Sequence, residues 1–159
     1  MSEVDMDRAL EVYNDIIDML DSREWKYDRF DEDLVIKSGI KGEDLPVEFL
    51  LFVKPKNQVV QFISKLPFNV PDDMRIDLAV AVNVANYGLV DGSFDYDIKD
   101  GDIRYRLTSS YRDSQLGPDL FEYMIMCGAS TVDSYNDKFF ALCKGFMTIN
   151  DFIEREKEN

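Results

Sequence analysis

Thirty-two carboxylates, eight tyrosines and two cysteines are the groups in this 159-residue sequence best placed to do chemistry, and none of its residues is a histidine. Without an imidazole there is no Ser–His or Cys–His nucleophile, no histidine general base and no histidine metal ligand. What remains is carboxylate chemistry, either acid–base work by paired acids or a hard-cation site. Asp31, Glu32 and Asp33, with Glu43 and Asp44, are the candidate acid clusters. They fall in predicted turns, where acidic residues ordinarily solvate a loop. Asp95, Asp97 and Asp102 carry a superficial likeness to a calcium loop, but Lys99 occupies a ligand position and Gly101 is out of step with that pattern. Cys127 and Cys143 form no close-spaced ligand pair, and their helical context predicts small, buried, reduced core residues. The expectation is a chain that is not an enzyme, with no catalytic, metal or cofactor residues and no cofactor.

The charge balance says what the surface attracts. Eighteen basic residues stand against 32 acidic ones, a net charge of −14. A field of that sign repels phosphate backbones and anionic lipid, so nucleic acid and membrane are poor partners and another protein is the expected one. A basic protein would be drawn to it. One reading is therefore an acidic inhibitor or immunity-type protein that blocks a basic target enzyme. The stretch Met1-Ser2-Glu3-Val4-Asp5 is acidic and reads as no signal peptide, no apolar run reaches membrane-spanning length, and scarce cysteine suits a reducing cytoplasm. With 45% hydrophobic residues, the chain is expected to form one domain over residues 1–159, its core spanning about 5–146 and a short terminal helix 148–156.

The elements follow from periodicity. Ser2 to Asp5 reads as a capping box for a first helix in which Met6, Leu10, Tyr13, Ile17 and Leu20 recur at helical spacing, ending near Asp21. Trp25–Phe30 is a short extended candidate. Leu34–Ile40, Leu45–Lys54 and Val59–Leu66 read as an antiparallel meander of three strands. Within it Val47 and the run Phe49 to Val53 are apolar with only Glu48 between, a pattern expected of a central strand covered on both faces. Pro71-Asp72-Asp73 opens a second helix that runs through Asn86. On its wheel Arg75, Ala79, Asn83 and Asn86 form one narrow polar stripe, and apolar residues cover the rest. That arc is wider than one sheet face covers. Either a third helix lies over it, or Ile76, Leu78, Val80, Val84 and Tyr87 form a dimer or partner interface.

Asp100-Gly101 is the dipeptide of a two-residue type I′ turn. Placed at a hairpin tip, it sets Asp97 opposite Arg104 and Asp95 opposite Arg106, with Tyr96 facing Tyr105 and Phe94 facing Leu107. From Leu120 to Phe146 the apolar positions keep one helical phase, through Met124, Cys127, Thr131, Tyr135, Phe139 and Leu142. That predicts one long helix bent at Gly128 or Ser130 and capped by Gly145. Thr148 to Asp151 reads as the capping box of the terminal helix.

The fold class is therefore α+β, an antiparallel sheet in the order helix, three-stranded meander, helix, β-hairpin, long helix. This order resembles the YbjN family, whose fold is similar to the class I type III secretion chaperones. The residues that carry the resemblance are Pro71, Asn86-Tyr87-Gly88-Leu89, Gly92-Ser93-Phe94-Asp95-Tyr96-Asp97 and Asp100-Gly101-Asp102-Ile103-Arg104-Tyr105-Arg106, within a match over about residues 33–145. The family is described as bacterial sensory transduction regulators. The resemblance implies a protein-binding, chaperone-like or regulatory role, an acidic homodimer, and no catalytic residue.

Overall fold

The computed structural model describes residues 3–158. Helix α1 (Met6–Ser22) precedes four consecutive strands, β1 (Asp28–Phe30), β2 (Val35–Ile40), β3 (Val47–Lys54) and β4 (Val59–Lys65). A short 3-10 turn then leads into α2 (Arg75–Gly88), followed by the hairpin β5 (Ser93–Asp97) and β6 (Asp102–Ser110), and by α3 (Pro118–Cys143) and α4 (Ile149–Lys157). The six strands form one antiparallel sheet in the order β1-β2-β3-β4-β6-β5. This is the α+β arrangement that the element order implies, with the meander extended to four strands by the short β1 from the Trp25–Phe30 segment.

Helices α1 and α3 pack together across one face of the sheet, and α2 lies against β5, α3 and α4. Helix α1 is capped by Asp5, whose carboxylate accepts from the Arg8 N–H at 3.0 Å; Ser2, where the expected capping box begins, lies outside the described residues. Its core side is Ala9, Val12, Tyr13, Ile16, Ile17, Met19 and Leu20, while Met6 and Leu10, expected inside, are exposed.

Helix α3 is unbroken for 26 residues. Gly128 is a point of close approach, since a Cβ there would stand 2.3 Å from the Phe62 ring of β4. The core side of α3 is Phe121, Met124, Ile125, Gly128, Ala129, Val132, Asn136, Phe139 and Leu142. Cys127, Thr131 and Tyr135 are only half-buried, and Phe146 stands largely in solvent. Bonds from Gly145 N–H to Leu142 O and from Phe146 N–H to Ala141 O close the helix, the double bond of a Schellman ending. Thr148 and Asp151 form the expected capping box of α4.

An aromatic chain fastens the layers. Phe49 stacks on Phe62 at 4.9 Å, Phe94 meets Tyr105 at 5.5 Å and Phe139 at 5.2 Å, and Phe139 meets Phe152 of α4 at 5.9 Å. Each such pair adds roughly 0.5–1.5 kcal/mol beyond burial.

The other face of the sheet is open. In β3 burial alternates strictly except at half-buried Phe52, and Leu50 is 37% exposed, so the strand is covered on one face and not on both. Leu50 and Phe52 are apolar residues on a solvent face. They break the alternation in sequence without being inside.

Candidate protein-binding surface

The hairpin exists, but its register is two residues away from the one predicted. Asp95 lies opposite Arg104, Phe94 opposite Tyr105, Tyr96 opposite Ile103, and Asp97 opposite Asp102. The tip is a four-residue turn, Ile98 to Gly101, closed by a bond from Gly101 N–H to Asp97 O at 2.8 Å. Of Asp100 and Gly101 only Gly101 has positive φ, at +72°, so the turn is not type I′. Tertiary contacts set this register. The tip carbonyls are all claimed by the segment that leads into α2: Val70 N–H donates to Gly101 O, Asn69 to Asp100 O, and the Arg75 guanidinium to Ile98 O and Lys99 O. The Asp97 carboxylate accepts from Lys99 N–H at 2.9 Å instead of pairing with Arg104. Asp95 serves both arginines, at 3.5 Å from Arg104 Nε and 3.2 Å from Arg106 Nε. A shift of two leaves each residue on its predicted face, so Phe94, Ile103, Tyr105 and Leu107 still point into the core.

Helix α2 is turned the opposite way from a helix with its polar side in water. β5 is an edge strand, and its free N–H and C=O groups need partners. The α2 polar stripe provides them. The Asn86 side-chain amide donates to Phe94 O at 3.0 Å and accepts from Phe94 N–H at 2.7 Å, in the manner of a neighbouring strand. At the other end Arg75 grips the hairpin tip, and Tyr96 donates to Arg75 O at 2.8 Å. Leu78, Ala81, Val82 and Ala85 fill the interior. Leu78, predicted as an interface residue, is fully buried within the chain, and Val84 is half-buried. What remains outside is mostly apolar, with Asn83 among it: Ile76 is 69% exposed, Val80 40%, Tyr87 95% and Val90, just past the helix, 97%. Three of the five predicted contact residues thus share one exposed stripe.

Of the candidate acids, Asp31 is the one whose carboxylate is engaged among the described residues. Asp31 accepts from Arg29 at 2.8 Å and from Tyr13 at 2.9 Å, and these two bonds, Arg29 first, hold its carboxyl below the usual range. A catalytic acid needs the reverse shift. Glu43 offers its backbone N–H to Asp133. Cys127 and Cys143 are free and half-buried, less enclosed than predicted, and burial pushes the Cys143 thiol up to about 11. Among the described residues no helix is long and apolar enough to cross a membrane.

The YbjN family model, "Putative bacterial sensory transduction regulator", matches residues 13–141. The chain belongs to the YbjN family. Solved structures agree on the fold. A chain of the crystal structure of the ExsC–ExsE complex superposes with a TM-score of 0.58 at 13% identity, covering 81% of this YbjN-family chain and 93% of the other. A chain of the HopA1–SchA chaperone–effector complex gives 0.56 at 18% identity, covering 83% and 96%. YbjN from E. coli gives 0.57 at 8% identity, covering 77% and 86%. No curated protein sequence matches this chain significantly. The family match ends before α4, so the helix that packs on α2 lies outside it.

Proposed function

We propose that this YbjN-family chain is a non-enzymatic binding module, chaperone-like or regulatory, that holds part of another protein and is itself a homodimer built on α2. The observation that carries this reading is the exposed stripe Ile76, Val80 and Tyr87, continued by Val90, on a helix whose Arg75 and Asn86 are already engaged by the hairpin. Side chains of that size left in water mark a contact surface. The fold supports it, since similar chains occur in the ExsC–ExsE complex and in the HopA1–SchA chaperone–effector complex. The absence of histidine and the lowered pKa of Asp31 support a role without catalysis. The two free cysteines fit a reducing cytoplasm.

The test is a photo-crosslinker placed at Tyr87, whose 95% exposure makes the replacement harmless to folding. The expected products are a crosslinked homodimer and one recurrent heterologous protein that binds the purified chain in defined stoichiometry. A chain that crosslinks to nothing and turns over a small molecule would overturn the proposal. One cognate basic enzyme inhibited at the acidic surface would replace it with the inhibitor reading.

A further inference from the structure

Register and alternation define which side chains lie on the open face of the sheet. One row across it reads Asp28, Lys37, Leu50, Ile63, Arg106, and the next reads Phe30, Val35, Phe52, Gln61, Thr108. The face holds five cations, Lys37, Lys54, Lys65, Arg104 and Arg106, and five carboxylates, Asp28, Glu48, Asp95, Asp97 and Asp102. It is therefore neutral on a chain whose net charge is −14, and its charges are not evenly spread. Of these two rows the first carries one carboxylate, Asp28 at the β1 edge opposite Lys37, and the second carries none. Asp95 is shared between Arg104 and Arg106, and Asp102 pairs with Lys65 at 3.3 Å. Lys37 and Lys54 take part in none of the ion pairs among the described residues. Lys54 lies over the Phe52 ring, 5.6 Å from its centroid. Between these cations Leu50 is exposed, Phe52 and Ile63 are half-buried, and a shallow groove runs from Lys37 past Leu50 and Ile63 to Lys65, with Glu48 as the one carboxylate on its wall. In the neighbouring row Gln61 bonds Thr108 through Nε2 at 2.9 Å, and its buried Oε1 has no partner among the described residues.

From this placement we infer that the open sheet face is a docking site for an acidic amphipathic helical segment of a client protein. The inference rests on the protein-binding reading above and deepens it by naming the client's chemistry. Three considerations select that occupant. A segment lying on a sheet face cannot borrow the strands' hydrogen bonds, which are already paired. It must satisfy its own backbone, as a helix does. Four strands about 4.8 Å apart make the row from Lys37 to Arg106 about 14 Å long, some two and a half helical turns. Leu50, Phe52 and Ile63 would take the apolar side of such a helix, while Lys37, Lys54 and Arg106 around them would meet carboxylates on its flanks. The chain's overall field favours basic partners, but at contact distances within the Debye length of about 8 Å the local cations decide the sign. This face and the α2 stripe are separate surfaces, so one copy can be occupied at both.

Two peptides of about eighteen residues, five helical turns, test the inference. One carries Leu and Phe on one side and Glu on the other, and its counterpart has Lys in place of every Glu. Fluorescence anisotropy with the full chain is expected to show binding of the acidic peptide, weakened by salt, and weaker binding of the basic one. Lys37→Glu combined with Lys54→Glu is expected to reduce acidic-peptide affinity about tenfold or more, close to 1.4 kcal/mol, and to reverse the preference. Leu50→Ser weakens both peptides. All three positions are exposed, so the variants should unfold like the parent. Equal or tighter binding of the basic peptide by the parent chain overturns the inference, as does acidic-peptide binding that the reversal leaves unchanged. Self-association abolished by Leu50→Ser also overturns it, because a second copy would then fill the face. A natural client bound identically by parent and reversed chains overturns this inference while leaving the binding-module reading intact.

Discussion

Tyr13 shows how one side chain ties the helical layer to the meander. Its ring is 1% exposed on the core side of α1, and its hydroxyl donates to Asp31 at 2.9 Å in the turn that joins β1 to β2. Burial first, then that bond, pushes its phenol from 10.0 up to about 12. A phenol whose pKa is higher folded than unfolded adds stability that is complete below about pH 10 and is lost as pH climbs through about 12, because the native state there holds a proton the unfolded chain releases. Tyr13→Phe is expected to cost about 1 kcal/mol at neutral pH through the lost hydrogen bond. It should also flatten the loss of stability between about pH 10 and 12. Urea unfolding across that range measures both, and equal slopes for parent and variant would show that Tyr13 does not titrate late. Cys143 gives a second residue-scale expectation. With its thiol pushed up to about 11, it should react slowly with a thiolate-dependent label at neutral pH, and fast labelling in the native state would contradict its burial.

At the scale of elements, the hairpin separates what local sequence determines from what packing determines. The alternation of Phe94, Ile103, Tyr105 and Leu107 decides which face points inward, and it reads correctly from the sequence. The pairing register does not, because the tip carbonyls are bound by Asn69, Val70 and Arg75, none of which a two-strand argument contains. The two registers make different demands on the turn. A type I′ tip would need both Asp100 and Gly101 at positive φ, whereas here only Gly101 is, and its missing Cβ would stand 2.4 Å from Val70 O. Gly101→Ala is therefore expected to cost about 1–3 kcal/mol. Asp100→Ala, which keeps the carbonyl that Asn69 uses, should change stability by less than about 0.5 kcal/mol. Thermal melts of the two variants decide the matter, and a large loss at Asp100 would restore the type I′ turn. Helix α2 teaches the same lesson. Its wide apolar arc is plain on a helical wheel, but nothing on the wheel says what its polar stripe faces. Arg75 and Asn86 stand three turns apart on that stripe, the spacing that lets one helix hold both ends of β5, and only the neighbouring edge strand gives that spacing its meaning. β3 misled for a related reason, since an apolar residue on an open face and one in a core look identical in sequence.

At the scale of the whole molecule, the question is whether the α2 stripe is covered by a second copy. Two bodies of charge −14 repel, and the repulsion is long-ranged at low salt, whereas burial of Ile76, Val80 and Tyr87 is short-ranged and insensitive to salt. Association should therefore strengthen as salt rises, opposite to an interface held by ion pairs. A two-fold contact suits the geometry because one stripe meets its own copy, each Tyr87 reaching across the axis without needing a second patch. Helix α4 limits how large that contact is. It packs on α2, and it is fastened to α3 by Phe152 against Phe139 and by Glu156, which accepts from Tyr135 at 2.6 Å and from Lys138 at 3.0 Å. The side of α2 that α4 covers is closed to a partner. Sedimentation at micromolar concentration should show a dimer whose population grows between about 0.05 and 0.5 M salt, where the Debye length shrinks severalfold. Ile76→Glu with Tyr87→Glu should remain monomeric throughout, and its melting temperature should match the monomeric parent because both side chains are already in water. A parent chain that stays monomeric at every salt concentration would leave the stripe free for a heterologous partner and sink the homodimer.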